Sequence, residues 1–137
     1  MSVVGWALDA LWTVKLDPDH VLWSRADTFL TRTQNREVFA RGADERALEA
    51  SLRDGGFAFG PRFSKAGQED VGQELVVYRS YGSATADGIR GLVASSNGDL
   101  RDERLDAALR WIARNYNLEK NPGFQGDPVG WSFGIHY

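Results

Sequence analysis

The chain has 137 residues, 42% of them hydrophobic and 26% charged, as expected for one globular domain. Its net charge of −3 argues against a generic electrostatic nucleic-acid binder, and the lack of cysteine excludes disulfides, thiolate zinc sites and a cysteine nucleophile. No apolar run approaches the roughly 20 residues of a membrane span and no signal sequence is recognisable, so we expect a cytoplasmic protein without a transmembrane segment.

The first part of the chain predicts a buried helix followed by an amphipathic one. Residues 3–15 are apolar nearly all round, which is typical of a helix that is buried on every side. Asp17 and Pro18 suit the N-cap and the first turn of a second helix, which we expect to run to about Gln34. Its apolar residues recur on one face at helical spacing, so this helix is predicted to be half-exposed.

The middle of the chain has a mixed pattern. Residues 43–53 predict a short exposed helix, and residues 54–61 predict a glycine-rich turn with alternating aromatic residues. Residues 65–73 are polar, and we expect them to be mobile. Residues 75–78 form a short apolar run that predicts an extended segment.

Two more helices are predicted in the second half. The third runs from Ser83, a candidate N-cap, to about Ser95. It contains Gly88 and Gly91, and because glycine inside a helix costs about 1 kcal/mol, we expect a neighbour to approach closely there. The fourth helix is predicted over residues 102–117 and is followed by a turn.

The two halves resemble each other with a period of about 82 residues. The matching residues include Ala26 with Ala108, Phe29 with Trp111, and Arg32 with Arg114. Each unit is predicted to be a helical hairpin, and such a hairpin buries its inner helix only by stacking on a copy of itself. We therefore expect an all-α domain over residues 1–137, with hairpins at about 2–35 and 81–117, an insertion and loop at 36–80, and the start of a further unit at 118–137.

Two sets of motifs carry a resemblance to a known family. The first is Phe29-Leu30 through Thr33-Gln34-Asn35, followed by Asp54-Gly55-Gly56-Phe57-Ala58-Phe59. The second is Arg79 to Thr85 with Ala107 to Ile112 and Asn121-Pro122-Gly123. With these motifs the chain resembles the squalene cyclase and prenyltransferase repeat family, and within it bacterial proteins with prenyltransferase and squalene-oxidase repeats. The resemblance implies stacked hairpins of the α/α-toroid type, of which this chain would hold about two.

The resemblance leaves catalysis open. The acidic Asp-x-Asp-Asp motif of the terpenoid cyclases is missing, and there is no cysteine for the zinc site of the protein prenyltransferases. We therefore expect part of a terpenoid cyclase-like or prenyltransferase-like protein that handles an isoprenoid or other apolar ligand, without catalysing a reaction on its own. The alternative is a non-catalytic scaffold that mediates protein–protein association. No cofactor and no metal ion are expected.

Four aromatic residues are the first candidate ligand contacts: Phe57, Phe59, Trp131 and Phe133. They lie in two equivalent glycine-rich and aromatic loops. The faces of such rings stabilise cations, as a carbocation-forming enzyme requires. The alternative is that the rings pin the outer helices to the inner ones.

Four polar residues on the predicted inner helices complete the candidate site. Tyr81 and Ser83 open the third helix, where they could bind a polar group, although Ser83 alternatively only caps the helix. Asp9 and Asp87 are the candidate catalytic acids, because a carboxyl group that faces an apolar cavity has a raised pKa. The alternative is that each aspartate pairs with arginine or faces solvent.

The expected partners follow from the apolar ends of the chain. The first helix and residues 129–137 would each present an apolar face. Large exposed apolar patches mark interaction surfaces. We therefore expect docking onto further repeats or self-association, and no nucleic-acid partner.

Overall fold

The computed structural model describes residues 2–36, 53–70 and 76–124. These residues form, in chain order, α1 (Ser2–Thr13), α2 (Val21–Thr33), β1 (Gln68–Asp70), β2 (Val76–Tyr78), α3 (Gly82–Ser95) and α4 (Glu103–Asn115). The two strands pair antiparallel, with Glu69 opposite Val77. The helix predicted over 43–53, apart from Arg53, and the tail 129–137 lie outside the described residues.

The predicted all-α fold of stacked α/α-toroid hairpins is wrong, because the architecture is mixed. The polar residues 65–73, which we expected to be mobile, include β1, which is hydrogen-bonded to β2. The Arg79 Nε–H also donates to Glu69 Oε1 at 2.9 Å, which ties this strand to the residue that follows β2. A strand with the sequence Gln-Glu-Asp carries no apolar alternation, so its partner rather than its own side chains determines its conformation.

Helix α3 is the central element and contacts the other three helices. It runs parallel to α1, since Gly5 faces Asp87 at one end of the pair and Trp12 faces Gly98 at the other. A Cβ atom on Gly91 would lie 3.0 Å from Leu30 of α2 and 3.4 Å from Leu8 of α1. The close approach predicted at Gly91 is therefore confirmed.

Gly88 packs against a loop and not against a helix. A Cβ atom on Gly88 would lie 2.5 Å from the ring of Phe57, which is 0% exposed. The Phe57 N–H donates to Thr85 Oγ1, and the Phe57 carbonyl accepts from the Tyr81 N–H. The loop before β1 is thus bound to the first turns of α3. The core cluster includes the large side chains Leu8, Leu30, Phe57, Tyr81, Leu92 and Leu105.

Helix α1 is not buried on every side as predicted. Val3 is 78% exposed and Trp6 is 64% exposed, because α3 covers only one side of the helix. The exposed apolar residues form a strip that we call the α1 stripe, consisting of Val3, Trp6, Ala7, Ala10 and Val14. Apolar residues on all sides of a predicted helix do not show how many of those sides are covered by other elements.

Helices α2 and α4 occupy matching positions in the repeat. α4 begins and ends 82 residues after α2, from 21 to 103 and from 33 to 115. Asp102 caps α4, and its carboxylate accepts from the Arg104 N–H at 2.8 Å. The predicted Asp17 cap of α2 is wrong, because His20 is the N-cap and its Nδ1 accepts from the Leu22 N–H at 3.2 Å.

Candidate functional site: a cleft at the carboxyl ends of α1 and α3

The parallel helices α1 and α3 end side by side with the same backbone motif. After α1, the Lys15 N–H donates to the Trp12 carbonyl and the Leu16 N–H donates to the Leu11 carbonyl. After α3, the N–H groups of Asn97 and Gly98 bind the carbonyls of Ala94 and Val93 in the same way. Both ends are therefore Schellman motifs, in which one residue adopts a left-handed conformation and reverses the chain.

A cleft of about 480 Å³ opens beside these two helix ends. Its apolar wall consists of Trp12, Leu16, Pro18, Trp23 and Ala94. Its polar wall consists of Thr13, Lys15, Ser95 and Asn97. A concave, mainly apolar space of this size with a few polar groups is typical of small-molecule sites, which span roughly 300–1,000 Å³.

The aromatic part of the wall consists of the indoles of Trp12 and Trp23. The indole Nε1–H of Trp23, in the first turn of α2, donates to the Asp17 carbonyl at 3.0 Å. That bond fixes the ring against the loop between α1 and α2. Trp12, in the last turn of α1, is 43% exposed and lies beside Gly98. The Trp23 indole is therefore in place before a ligand arrives, and the exposed Trp12 indole adds apolar area to the same wall.

The polar side chains of the cleft are not arranged for acid–base or nucleophilic chemistry. The Thr13 hydroxyl donates to the Asp9 carbonyl at 2.7 Å, and the Ser95 hydroxyl donates to the Leu92 carbonyl at 3.2 Å. Neither a carboxylate nor a histidine is among the nine described residues that line the cleft. A hydroxyl without an adjacent base is a weak nucleophile, so this wall is suited to binding.

The two predicted catalytic acids lie away from this cleft, in the seam between α1 and α3. Asp9 forms an ion pair with Arg90, whose Nε–H donates to Asp9 Oδ2 at 2.8 Å. The Arg90 guanidinium also lies 4.1 Å above the ring of Trp6. Asp9 is therefore a paired aspartate of a helix stripe, which is the alternative raised by the sequence.

Asp87 lies in the same seam, opposite Gly5. Burial raises the pKa of the half-buried Asp87 carboxyl, and the nearby Asp9 carboxylate adds to the rise while Arg90 opposes it. Neither aspartate is among the residues that line the cleft. The catalytic roles of Asp9 and Asp87 stay predictions.

The predicted aromatic contacts are dispersed. Phe57 is enclosed in the core under Gly88, whereas Phe59 packs edge-on against Phe63 at 5.8 Å and lies under the Lys65 ammonium. Trp131 and Phe133 lie outside the described residues. The structure therefore brings neither described ring to the cleft, and their roles in ligand binding stay predictions.

Tyr81 and Ser83 lie at the other end of α3 from the cleft. The ring of Tyr81 packs on Phe124 at 5.2 Å, and burial raises the pKa of its phenol, with Asp87 adding to the rise. Ser83 is not the N-cap, since α3 begins at Gly82. Instead, Asn121 Oδ1 accepts from the Ser83 N–H at 3.1 Å. Their contact with a ligand stays a prediction.

Two features are absent from the described part of the chain. Residues 2–36, 53–70 and 76–124 contain no group of three or more His, Cys, Asp or Glu side chains that could hold a metal ion. Within the same ranges no helix combines the length and the apolar character needed to cross a membrane. The cellular compartment stays a prediction.

Comparisons with known proteins give no family for this chain. A scan of protein-family models and searches of curated proteins and of solved structures find no match. The resemblance to the squalene cyclase and prenyltransferase repeat family therefore stays a prediction.

The cleft residues Trp12, Trp23, Lys15 and Asn97 were missed as site residues. The sequence contains one signal that could have pointed to two of them. Lys15 and Asn97 end the two inner helices and are 82 residues apart, which is the period of the repeat. Equivalent ends of parallel helices lie together, so the two residues could have been predicted as neighbours.

Proposed function

We propose that the chain is a non-catalytic binding module for an apolar small molecule, which it takes into the cleft between Trp12 and Trp23. The observation that carries this proposal is the cleft of about 480 Å³ with two indoles in its wall. Both hydroxyls of the wall are engaged by their own helices, which supports binding over catalysis. The resemblance in the sequence supports an isoprenoid as the apolar ligand.

The test is isothermal titration calorimetry with geraniol, a ten-carbon isoprenoid alcohol. Trp12→Ala removes one wall of the cleft and should weaken binding by about ten-fold or more, since burying a large aromatic side chain contributes several kcal/mol. The matched control is Trp6→Ala, which removes an exposed tryptophan from the same helix outside the cleft. Binding that is absent from the parent, or lost equally in both variants, would refute the proposal.

A second candidate function, protein–protein association, is favoured by the α1 stripe. Exposed apolar residues that recur along one side of a helix are typical of a surface that packs on another chain. Further repeats of the same kind or a second copy would cover this face. In sedimentation equilibrium, Trp6→Glu should abolish self-association. The control Leu118→Glu, at an exposed leucine outside the α1 stripe, should not. A parent protein that stays monomeric over a wide concentration range would contradict self-association.

A further inference from the structure

The polar wall of the cleft contains two residues with an uncommon backbone conformation. Within residues 2–36, 53–70 and 76–124, the two non-glycine residues with positive φ are Lys15 at 57° and Asn97 at 52°. Both line the cleft. Side chains other than glycine are disfavoured in this left-handed region, and such residues cluster at binding and active sites.

The position of Lys15 is one that glycine usually occupies. In a Schellman motif the left-handed residue is most often glycine, because a Cβ atom is unfavourable there. Asparagine tolerates this conformation well, whereas lysine has no local hydrogen bond that would favour it. The side chain at position 15 therefore has to be explained by something other than the turn.

The charge of the wall indicates what that side chain does. Of the nine described lining residues, only Lys15 is charged. Its ammonium forms no ion pair with any residue in the described ranges. Asn97 adds a neutral amide on the neighbouring turn. One cation beside an apolar wall can bind one anion at the end of an apolar chain, and it also offsets the partial negative charge of the two helix ends that would otherwise repel this anion.

We propose that the cleft takes an apolar molecule that ends in a carboxylate, and that Lys15 binds this carboxylate while Trp12 and Trp23 contact the apolar part. The proposal rests on the proposed function, since it specifies the ligand of the same cleft. A single ammonium matches one negative charge, so we assign a monocarboxylate and not a multiply charged group. The competing explanation is that Lys15 only offsets the dipole at the carboxyl end of α1.

The test compares three probes with the same ten-carbon skeleton: geranate, geraniol and protonated geranylamine. In calorimetry at low salt, the parent should bind geranate about two- to five-fold more tightly than geraniol, as expected for an ion pair with the exposed Lys15. Geranylamine should bind most weakly. Lys15→Gly should remove the preference for geranate, because it removes the cation while glycine suits the turn.

Two controls separate charge from backbone conformation. Lys15→Arg keeps the cation and should keep the preference for geranate. Asn97→Gly relaxes the neighbouring turn without changing the charge and should also keep it. Equal affinities for geranate and geraniol in the parent, or tightest binding of geranylamine, would overturn this inference and leave the proposed function standing. If none of the three probes binds, the proposed function itself fails.

Discussion

At the scale of single residues, Asp54 shows how a buried carboxyl group connects two parts of the fold. One oxygen accepts from the Gly56 N–H at 2.9 Å and from the Ser80 hydroxyl at 2.8 Å. The other accepts from the Trp111 indole N–H at 2.8 Å. Burial raises the pKa of this carboxyl, and the three hydrogen bonds and Arg114 oppose the rise. The glycine-rich loop is thereby bound to α4.

The raised pKa of Asp54 predicts a specific dependence of stability on pH. A carboxyl group whose pKa is higher in the folded than in the unfolded state contributes most stability at pH values below its unfolded-state pKa. This contribution is lost as the pH rises through its folded-state pKa. The asparagine of Asp54→Asn does not titrate, and its amide replaces one acceptor oxygen by a donor. This change should lower the free energy of unfolding by about 1 kcal/mol at pH 7. The free energy of unfolding of the parent should therefore exceed that of Asp54→Asn by more as the pH falls from 7 toward 4.

Urea unfolding of both proteins at several pH values measures this difference. A difference that stays constant, or shrinks as the pH falls, would show that burial does not raise the pKa of Asp54.

Two glycines of α3 predict different responses to the same substitution. At Gly88 a Cβ atom would lie 2.5 Å from the buried ring of Phe57, so Gly88→Ala should lower the free energy of unfolding by about 1–2 kcal/mol. At Gly91 the nearest atom is a terminal carbon of Leu30 at 3.0 Å, which can shift. The better helix propensity of alanine, about 1 kcal/mol, should then leave Gly91→Ala within about 0.5 kcal/mol of the parent.

Thermal and urea unfolding of the two variants make the comparison. Equal losses of stability in both would mean that Phe57 does not pack on Gly88 as tightly as the structure shows.

At the scale of elements, α3 is capped by a residue far away in the chain. Asn121 is 1% exposed, its Oδ1 accepts from the Ser83 N–H, and its Nδ2–H donates to the Ser83 hydroxyl at 2.9 Å. The loop after α4 thus binds the start of α3, as the Phe57 loop does. The loops that follow α2 and α4 therefore both bind the N-terminal end of α3.

This arrangement predicts that alanine substitutions at Asn121 and at Ser83 lower the stability by different amounts. Asn121→Ala should cost about 1–2 kcal/mol of unfolding free energy, because it removes the acceptor for a backbone N–H. Ser83→Ala keeps that acceptor and should cost less. If Ser83 were the N-cap, as the sequence indicated, Ser83→Ala would cost at least as much, so denaturant unfolding of both variants decides between the two assignments.

The helices were predictable from sequence where one face is apolar and the other polar. For α4 the spacing of Leu105 and Ala108 defines the buried face, and the helix begins at Glu103, one residue after the predicted start. Strand β1 was not predictable, because its three polar residues carry no pattern of their own, whereas β2 lies within the apolar run 75–78 that was predicted to be extended. The exposure of α1 was not predictable either, since its apolar residues leave no contrast between faces.

The cleft could not be predicted for a different reason. Its wall combines the last turns of α1 and α3, the following turns and the start of α2, so it exists only after these helices are placed. Of the candidates that were selected from sequence, Asp9 lies on α1, Asp87 lies on α3, and Tyr81 immediately precedes α3. Asp9 and Asp87 lie in the seam between α1 and α3, and Tyr81 lies at the end of α3 opposite the cleft. Sequence motifs do not show at which end of a helix pair a cleft opens.

At the scale of the whole molecule, α1 contributes to both surfaces of functional interest. The helices of the two halves are offset by 82 residues, and Lys15 and Asn97 show the same offset at the cleft. The α1 stripe consists of exposed residues of α1, of which Trp6 lies under the Arg90 guanidinium of α3. The proposed ligand cleft and the candidate association surface therefore both include residues of α1.

The most direct test of the central claim locates the apolar ligand among the tryptophans. In a two-dimensional proton–nitrogen spectrum, each indole N–H gives its own signal. On titration with geraniol, the signals of Trp12 and Trp23 should shift with one common saturation curve, while those of Trp6 and Trp111 stay unchanged. Shifts confined to Trp6 or Trp111, or no shift at Trp12 and Trp23 at saturating geraniol, would contradict binding in the cleft.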